Sequence, residues 1–244
     1  MGSTARIGSY NIHCVPPFQC SINYLDQVAA YVVTLVRNQA LDVLVINEAF
    51  RSKVPSILLR HLRAHCGDWA STPYSSGGLL PGSGVLVMWN RDTVQRNGRI
   101  METTFKKCCQ TDCLARKGGT GVSFVKDGRA FAVVATHLQA YEIPGLCDGV
   151  RNTQIEALHQ LRKRFSPNMR GIYIGDMNQA PGRSMYEVLR AVKVPCIGPA
   201  TTFEDEEYDY AMMFPLLSPG SSMSVVRDAD NLSDHYPIVV TLAI

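Results

Sequence analysis

Four short segments hold residues able to do chemistry: Tyr10-Asn11, Asn47-Glu48, Gly175-Asp176-Met177-Asn178 and Ser233-Asp234-His235. Each brings a carboxylate, an amide or an imidazole to the end of an apolar run. Asn11, Glu48, Asp176, Asn178 and Asp234 offer hard oxygen donors, which suit Mg²⁺ rather than Zn²⁺. His235 adds a base able to take a proton from water near neutral pH. A magnesium ion, a water and a histidine are the parts needed to hydrolyse a phosphate ester.

Each residue also has a plainer reading. Glu48 follows Leu41-Asp42-Val43-Leu44-Val45-Ile46-Asn47, and a carboxylate closing a buried run must be paired or bind metal. Solvated acids stand at strand ends too. Asn11 alone could cap a turn. In Gly175-Asp176-Met177-Asn178 the glycine permits a tight approach, and side chains at i and i+2 share one side of an extended segment. Ser233-Asp234-His235-Tyr236-Pro237 is the most specific piece, an adjacent acid and base before a proline-started strand. Asp209 is either an ordinary acid or the carboxylate that fixes the tautomer of His235. His137, closing Val133-Val134-Ala135-Thr136, is either structural or an N–H donor to a phosphoryl oxygen gaining charge. His61 and His65 lack the glutamate of an HExxH motif and read as a solvated helix face.

The elements that must carry these residues follow from apolar periodicity. Strands are expected at 6–13, 42–46, 85–89, 120–125, 129–136, 171–175, 208–214, 222–227 and 237–243, with Asp127-Gly128 as a hairpin turn. Helices are expected at 25–36, 55–65 (opened by Pro55), 151–165 and 184–192, and a Gly/Ser/Pro loop at 71–84. Hairpins mixed with helical connections imply an α+β class, a four-layer α/β sandwich of two packed mixed sheets flanked by helices.

Composition narrows the function further. At 244 residues and 46% hydrophobic, the chain suits a single domain over 1–244. The net charge of +3 lacks the basic excess of a dedicated DNA binder. Arg162-Lys163-Arg164 reads as a solvated helix face. No segment approaches the ~18 apolar residues of a membrane span. Residues 1–6 lack the apolar stretch of a signal peptide and the myristoylation pattern, so the expectation is an intracellular chain or one whose leader has been removed. Eight cysteines show no CxxC ladder, which disfavours zinc and leaves disulfides or buried free thiols open.

Taken in this order, the segments resemble the endonuclease/exonuclease/phosphatase superfamily from Tyr10 to Leu242, with its deoxyribonuclease-like fold. Asn47-Glu48-Ala49-Phe50, Thr136-His137-Leu138-Gln139-Ala140 and Gly175-Asp176-Met177-Asn178 are similar to the neutral sphingomyelinases, above all the secreted bacterial sphingomyelinase C enzymes. Asp112-Cys113-Leu114-Ala115-Arg116-Lys117-Gly118 resembles the Asp…Lys switch segment of the mammalian membrane-associated enzymes, and Arg151-Asn152-Thr153-Gln154 the family's Arg-x-x-Gln helix start. The resemblance implies a Mg²⁺-dependent phosphodiesterase, a monomer, that cleaves sphingomyelin or a related choline phospholipid at a membrane surface. It implies Glu48 as the central metal ligand, helped by Asn11 and Asp234, and the Phe50 carbonyl as the place of a second, edge metal. His235 becomes the general base oriented by Asp209, Asp176 and Asn178 hold the attacking or leaving oxygen, and His137 stabilises phosphorane-like charge. Lys117 contacts the phosphate or pairs with Asp112, and Cys109 is expected to pair with Cys147. The stretch from Met212 to Val226 departs from the family, being short and without tryptophan where the bacterial enzymes carry an aromatic hairpin. Cys108 and Cys113 have no counterpart.

Two other functions compete. A DNase-like endonuclease or phosphatase on the same fold would use the same metal, but near-neutral charge disfavours a nucleic-acid partner. A catalytically silent binding module would need no general base, which the set Asn11, Glu48, His137, Asp176, Asn178, Asp209 and His235 supplies.

Overall fold

The computed structural model describes residues 2–244 except 16–19, 75–81, 116, 141–146, 201, 204–205, 216–218 and 228–231. Much of the loop expected at 71–84, Arg116, and Leu216 and Leu217 of the 212–226 stretch lie outside the described residues. The elements run β1 (Thr4–Asn11), α1 (Ile22–Gln39), β2 (Val43–Asn47), α2 (Val54–His65), β3 (Trp69–Ser71), β4 (Leu86–Asn90) and β5 (Gln95–Thr104). After a 3-10 turn at Gln110–Leu114 come β6 (Gly118–Lys126), β7 (Arg129–His137), α3 (Asp148–Phe165), β8 (Gly171–Asp176), α4 (Arg183–Leu189), β9 (Val192–Lys193), β10 (Asp209–Phe214), β11 (Ser222–Val225) and β12 (Ile238–Ala243).

Two six-stranded sheets form, ordered β11-β12-β1-β2-β4-β3 and β5-β6-β7-β8-β10-β9. Each has one parallel pair at its centre, β1 with β2 and β7 with β8, joined through α1 and α3. A parallel pair needs such a crossover, and it brings the carboxyl ends of both strands to the same edge. The antiparallel neighbours β12 and β10 start at that edge. Asn11, Glu48, His137, Asp176, Asp209 and His235 are thereby delivered to one end of the sandwich.

Strand alternation builds the layers. Val43 and Val45 of β2 join the core shared with the second sheet, while Leu44 and Ile46 join the cluster under α1 and α2. The apolar stripe of α1 lies on that outer face, and Ser21 caps the helix by accepting the Tyr24 N–H at 3.1 Å. On the other side α3 packs against β6 so closely that a Cβ on Gly119 would stand 2.4 Å from Leu158 Cδ2. The result is the expected four layers, helices on sheet on sheet on helices. Two polar ties cross between the sheets at opposite ends. Asn47 Nδ2 donates to the Thr136 carbonyl at 2.7 Å beside the site, and Lys126 Nζ pairs with buried Asp42 at 2.6 Å at the far end.

Several expectations need correction. The exposed strand β5 has no apolar alternation to read, because it is an edge strand with a register shift between Asn97 and Met101. Helix α4 stops at Leu189 instead of 192, because Arg190 adopts the left-handed conformation (φ 49°) and Val192 pairs in β9. Arg162 is buried, with its guanidinium 4.8 Å over the Phe214 ring, instead of lying on a solvated face with Lys163 and Arg164. No described helix is long and apolar enough to cross a membrane.

Three disulfides bind the chain: Cys14–Cys20, Cys108–Cys113 and Cys109–Cys147. The last spans 38 residues and restricts the unfolded chain by roughly 4 kcal/mol in the loop-entropy picture. Alkylation of the denatured, non-reduced protein is expected to label Cys66 and Cys196, with all eight cysteines labelled after reduction. Label on Cys109 or Cys147 without reductant would remove that bridge.

Candidate active site

The site sits where the carboxyl ends of the two parallel pairs meet. Asn11 closes β1, and its Nδ2 donates to Glu48 Oε1 and to Asp176 Oδ2, each at 3.1 Å. One amide from the first sheet thus joins the two central carboxylates. Its own Oδ1 accepts the His13 N–H at 3.0 Å. Glu48 follows β2 with a positive φ of 59°, a conformation that costs a non-glycine residue about 1 kcal/mol or more and is kept where the surroundings demand it. Its second oxygen, Oε2, is buried with no hydrogen-bond partner.

The second sheet supplies the rest. Asp176 closes β8 and is fully buried, its Oδ1 accepting the Asn178 N–H at 2.9 Å. Asn178, also at positive φ (50°), donates its Nδ2 to the Leu138 carbonyl at 2.9 Å. Gly175 is required just before: its φ is 138°, and a Cβ there would lie 2.1 Å from the Thr136 carbonyl oxygen. His137 closes β7 with Nε2 at 3.5 Å from Asp176 Oδ2 and 3.9 Å from Glu48 Oε1. Burial, then the nearby cations Lys117 and His235, hold its pKa well below the usual imidazole range, so it stays neutral.

His235 precedes β12 and faces β10. Its Nδ1 lies 2.6 Å from Asp209 Oδ2, and its Nε2 stands 4.0 Å from Asp176 Oδ2. Burial alone would lower the His235 imidazole, but the carboxylates of Asp209 and Asp176 outweigh it and raise the pKa to about 10. Burial and then the charge of Asp209 push Asp176 up to about 7.

Two sets of donor atoms each lie within 4.8 Å of one another: Glu48, His137 and Asp176, and Asp176, Asp209 and His235. The residues fit a hard divalent cation. The orphaned Glu48 oxygen has no hydrogen-bond partner, and oxygen donors of Glu48 and Asp176 crowd together beside the neutral His137. Asp234 stands outside both sets; its half-exposed carboxylate engages His13 Nδ1 at 3.3 Å. The Phe50 carbonyl already accepts a hydrogen bond from Tyr74 Oη at 2.7 Å. Lys117 is buried between Asp112 Oδ2 at 2.7 Å and the Leu138 carbonyl at 2.9 Å, the pairing alternative of the two expected for it.

Some supporting residues gave no signal in the sequence. Thr202 Oγ1 accepts the Tyr208 and Asp209 N–H groups at 3.0 and 2.9 Å, which fixes the backbone behind the His235 partner. The Phe203 ring packs 4.8 Å from the imidazole. Neither residue belongs to a motif of the sequence.

No family model and no curated protein matches the sequence. Solved structures do match. A mutant of beta toxin from Staphylococcus aureus with bound magnesium ions aligns with TM-score 0.82 at 18% identity over 99% of this chain and 100% of that one. Sphingomyelinase C from Streptomyces griseocarneus gives 0.78 at 18% over 98% and 99%, and an endonuclease/exonuclease/phosphatase protein from Bacteroides vulgatus 0.75 at 16% over 98% of each. The chain therefore has the two-sheet, DNase-like fold of these endonuclease/exonuclease/phosphatase proteins.

Proposed function

We propose that this chain is a Mg²⁺-dependent phosphodiesterase that hydrolyses sphingomyelin to ceramide and phosphocholine at a membrane surface, acting as a monomer with no nucleic-acid partner. The observation that carries the hydrolase reading is the Asp209–His235 pair at 2.6 Å, with Nε2 of the imidazole turned toward Asp176 and Glu48 in the donor set on the far side of Asp176. A phosphodiesterase needs a base on water and a cluster of anions that gathers a divalent cation at the phosphate. The choice of sphingomyelin is supported by the Thr136-to-Ala140 and Asp112-to-Lys117 segments and by the likeness to sphingomyelinase C.

Glu48 and Asn11 would hold the magnesium, which when bound would neutralise charge on a phosphoryl oxygen as a Lewis acid. Asp209 keeps the proton on Nδ1 of His235, so that Nε2, once neutral, accepts the proton of the attacking water. The water oxygen forms a bond to phosphorus as the bond from phosphorus to the ceramide oxygen breaks; that oxygen takes up a proton from solvent, and His235 then returns its own proton to solvent. Asp176 and Asn178 orient the attacking or leaving oxygen. His137, held neutral, donates an N–H to the phosphoryl oxygen that gains charge. Three disulfides suit an oxidising compartment.

The test is phosphocholine release from sphingomyelin vesicles with Mg²⁺ and with EDTA, beside a plasmid-nicking assay under the same conditions. Release that needs Mg²⁺, without nicking, is expected. Nicking without release would transfer the same site to the nuclease branch.

A further inference from the structure

Leu138, Gln139 and Ala140 leave β7 directly after His137, and their backbone polar groups are held in an unusual way. The Leu138 N–H donates to the Asp176 carbonyl at 3.0 Å, the last rung between β7 and β8. The other five groups are met by side chains. The Leu138 carbonyl accepts from Asn178 Nδ2 and Lys117 Nζ, each at 2.9 Å. The Gln139 N–H donates to Gln154 Oε1 at 2.8 Å, and the Ala140 N–H to Asp112 Oδ2 at 2.6 Å. The carbonyls of Gln139 and Ala140 both accept from Arg151 Nη1, at 3.4 and 3.3 Å.

Arg151 is 1% exposed, among the largest fully buried side chains. Its Nε donates to Gln179 Oε1 at 3.1 Å, and its Nη2 pairs with Asp148. One planar fork therefore grips the segment after His137 and the residue after Asn178 together. Gln154, one turn further along α3, adds a second grip and donates to the Lys107 carbonyl at 3.1 Å. A buried guanidinium is costly to desolvate, and an apolar side chain would fill the volume without that cost. What an apolar residue cannot do is hold two separate segments at a fixed spacing through a rigid donor fork.

We infer that Arg151, seconded by Gln154, is a positioning residue for the hydrolysis: it clamps the backbone of residues 138–140 to Gln179 and so sets His137 and Asn178 in register with each other. The inference rests on the roles proposed for His137 and Asn178 and not on the identity of the lipid. Donors that stabilise transition-state charge depend on placement within a fraction of an ångström. Loss of the clamp therefore falls on kcat rather than on KM.

The test compares wild type with Arg151→Ala, Arg151→Lys and Gln154→Leu on the soluble diester bis(p-nitrophenyl) phosphate and on sphingomyelin vesicles, with Mg²⁺ in both. Arg151→Ala is expected to lose about 10²-fold in kcat. Its KM should stay within about threefold, the pattern of an interaction made in the transition state. Arg151→Lys and Gln154→Leu should lose less, and added methylguanidinium should restore part of the turnover of Arg151→Ala. Wild-type kcat in a folded Arg151→Ala, or a raised KM at constant kcat, would overturn the inference. If Arg151→Ala does not fold, Arg151→Lys and Gln154→Leu decide on the same criteria, with a wild-type Mg²⁺-induced thermal shift as the sign of an intact site. A wild type that cleaves the soluble diester but releases no phosphocholine would sink the sphingomyelin reading and leave this test standing. A wild type inert on both substrates would take the reading and the inference down together.

Discussion

Replacing His235 with alanine is expected to cut turnover by at least ~10² while the fold survives, the size typical of losing a positioned base. The imidazole is held by three neighbours. Asp209 takes its Nδ1 at 2.6 Å, Phe203 packs on its face, and its Nε2 is left toward Asp176 at 4.0 Å. His235 lies before β12 and not within it, so the strand does not depend on the ring. The substitution does strand Asp209, whose Oδ1 is already buried without a partner. A buried carboxylate that loses its cation is expensive, so some stability is lost along with the activity. Adding Asp209→Asn to the alanine variant should return that stability and none of the turnover. Phosphocholine release and circular dichroism measure the two effects separately, and wild-type turnover in His235→Ala would remove the residue from the mechanism.

The second large effect is expected from Glu48→Gln, read as a metal titration. The amide keeps the shape of the side chain and removes its charge, which is what a magnesium ligand cannot lose. Magnesium at a hundred times its Kd should stabilise wild type by about 2.7 kcal/mol, and the same concentration should do little for the variant. Without metal the ordering reverses or levels. The charge of Glu48 is one of the causes that raise Asp176, so neutralising it relieves repulsion inside a buried cluster. The metal-free variant should therefore melt no lower than metal-free wild type. Thermal melts with EDTA and across a Mg²⁺ series read both halves, and an unchanged titration would end the case for Glu48 as ligand.

The centre of this site was legible in the sequence because it lies at the ends of strongly patterned strands. Ile172-Tyr173-Ile174 predicts β8, and the residues that follow it are Asp176 and Asn178. The run Val43 to Ile46 likewise predicts β2 and points to Glu48. What lay hidden were relationships across long separations. That Asp209 and not another acid meets His235 is a fact of β10 pairing with β8 in register Asp209↔Asp176. That Lys117 is occupied by Asp112 depends on a 3-10 turn bracketed by the Cys108–Cys113 and Cys109–Cys147 bridges. Of those two, Cys108–Cys113 joins cysteines for which the resemblance offered no counterpart. Asp234 shows the reverse: its place beside His235 in the chain does not carry it into either donor set, and its carboxylate turns to His13.

The two cross-sheet ties carry a consequence for how this chain can drift. The anion that would gather metal stands on one sheet, and Asp176 and His137 stand on the other. Asn47 and Lys126 pin the sheets at their two ends, so the thickness of the apolar layer between them, with Val43 and Val45 facing Val133 and Ile172, acts as the gauge block of the site. Interiors pack too tightly to absorb an added methylene without moving a sheet. Interior residues far from any substrate are thus held to a tolerance set by coordination chemistry, and a change there should be felt first in metal affinity and only later in melting temperature.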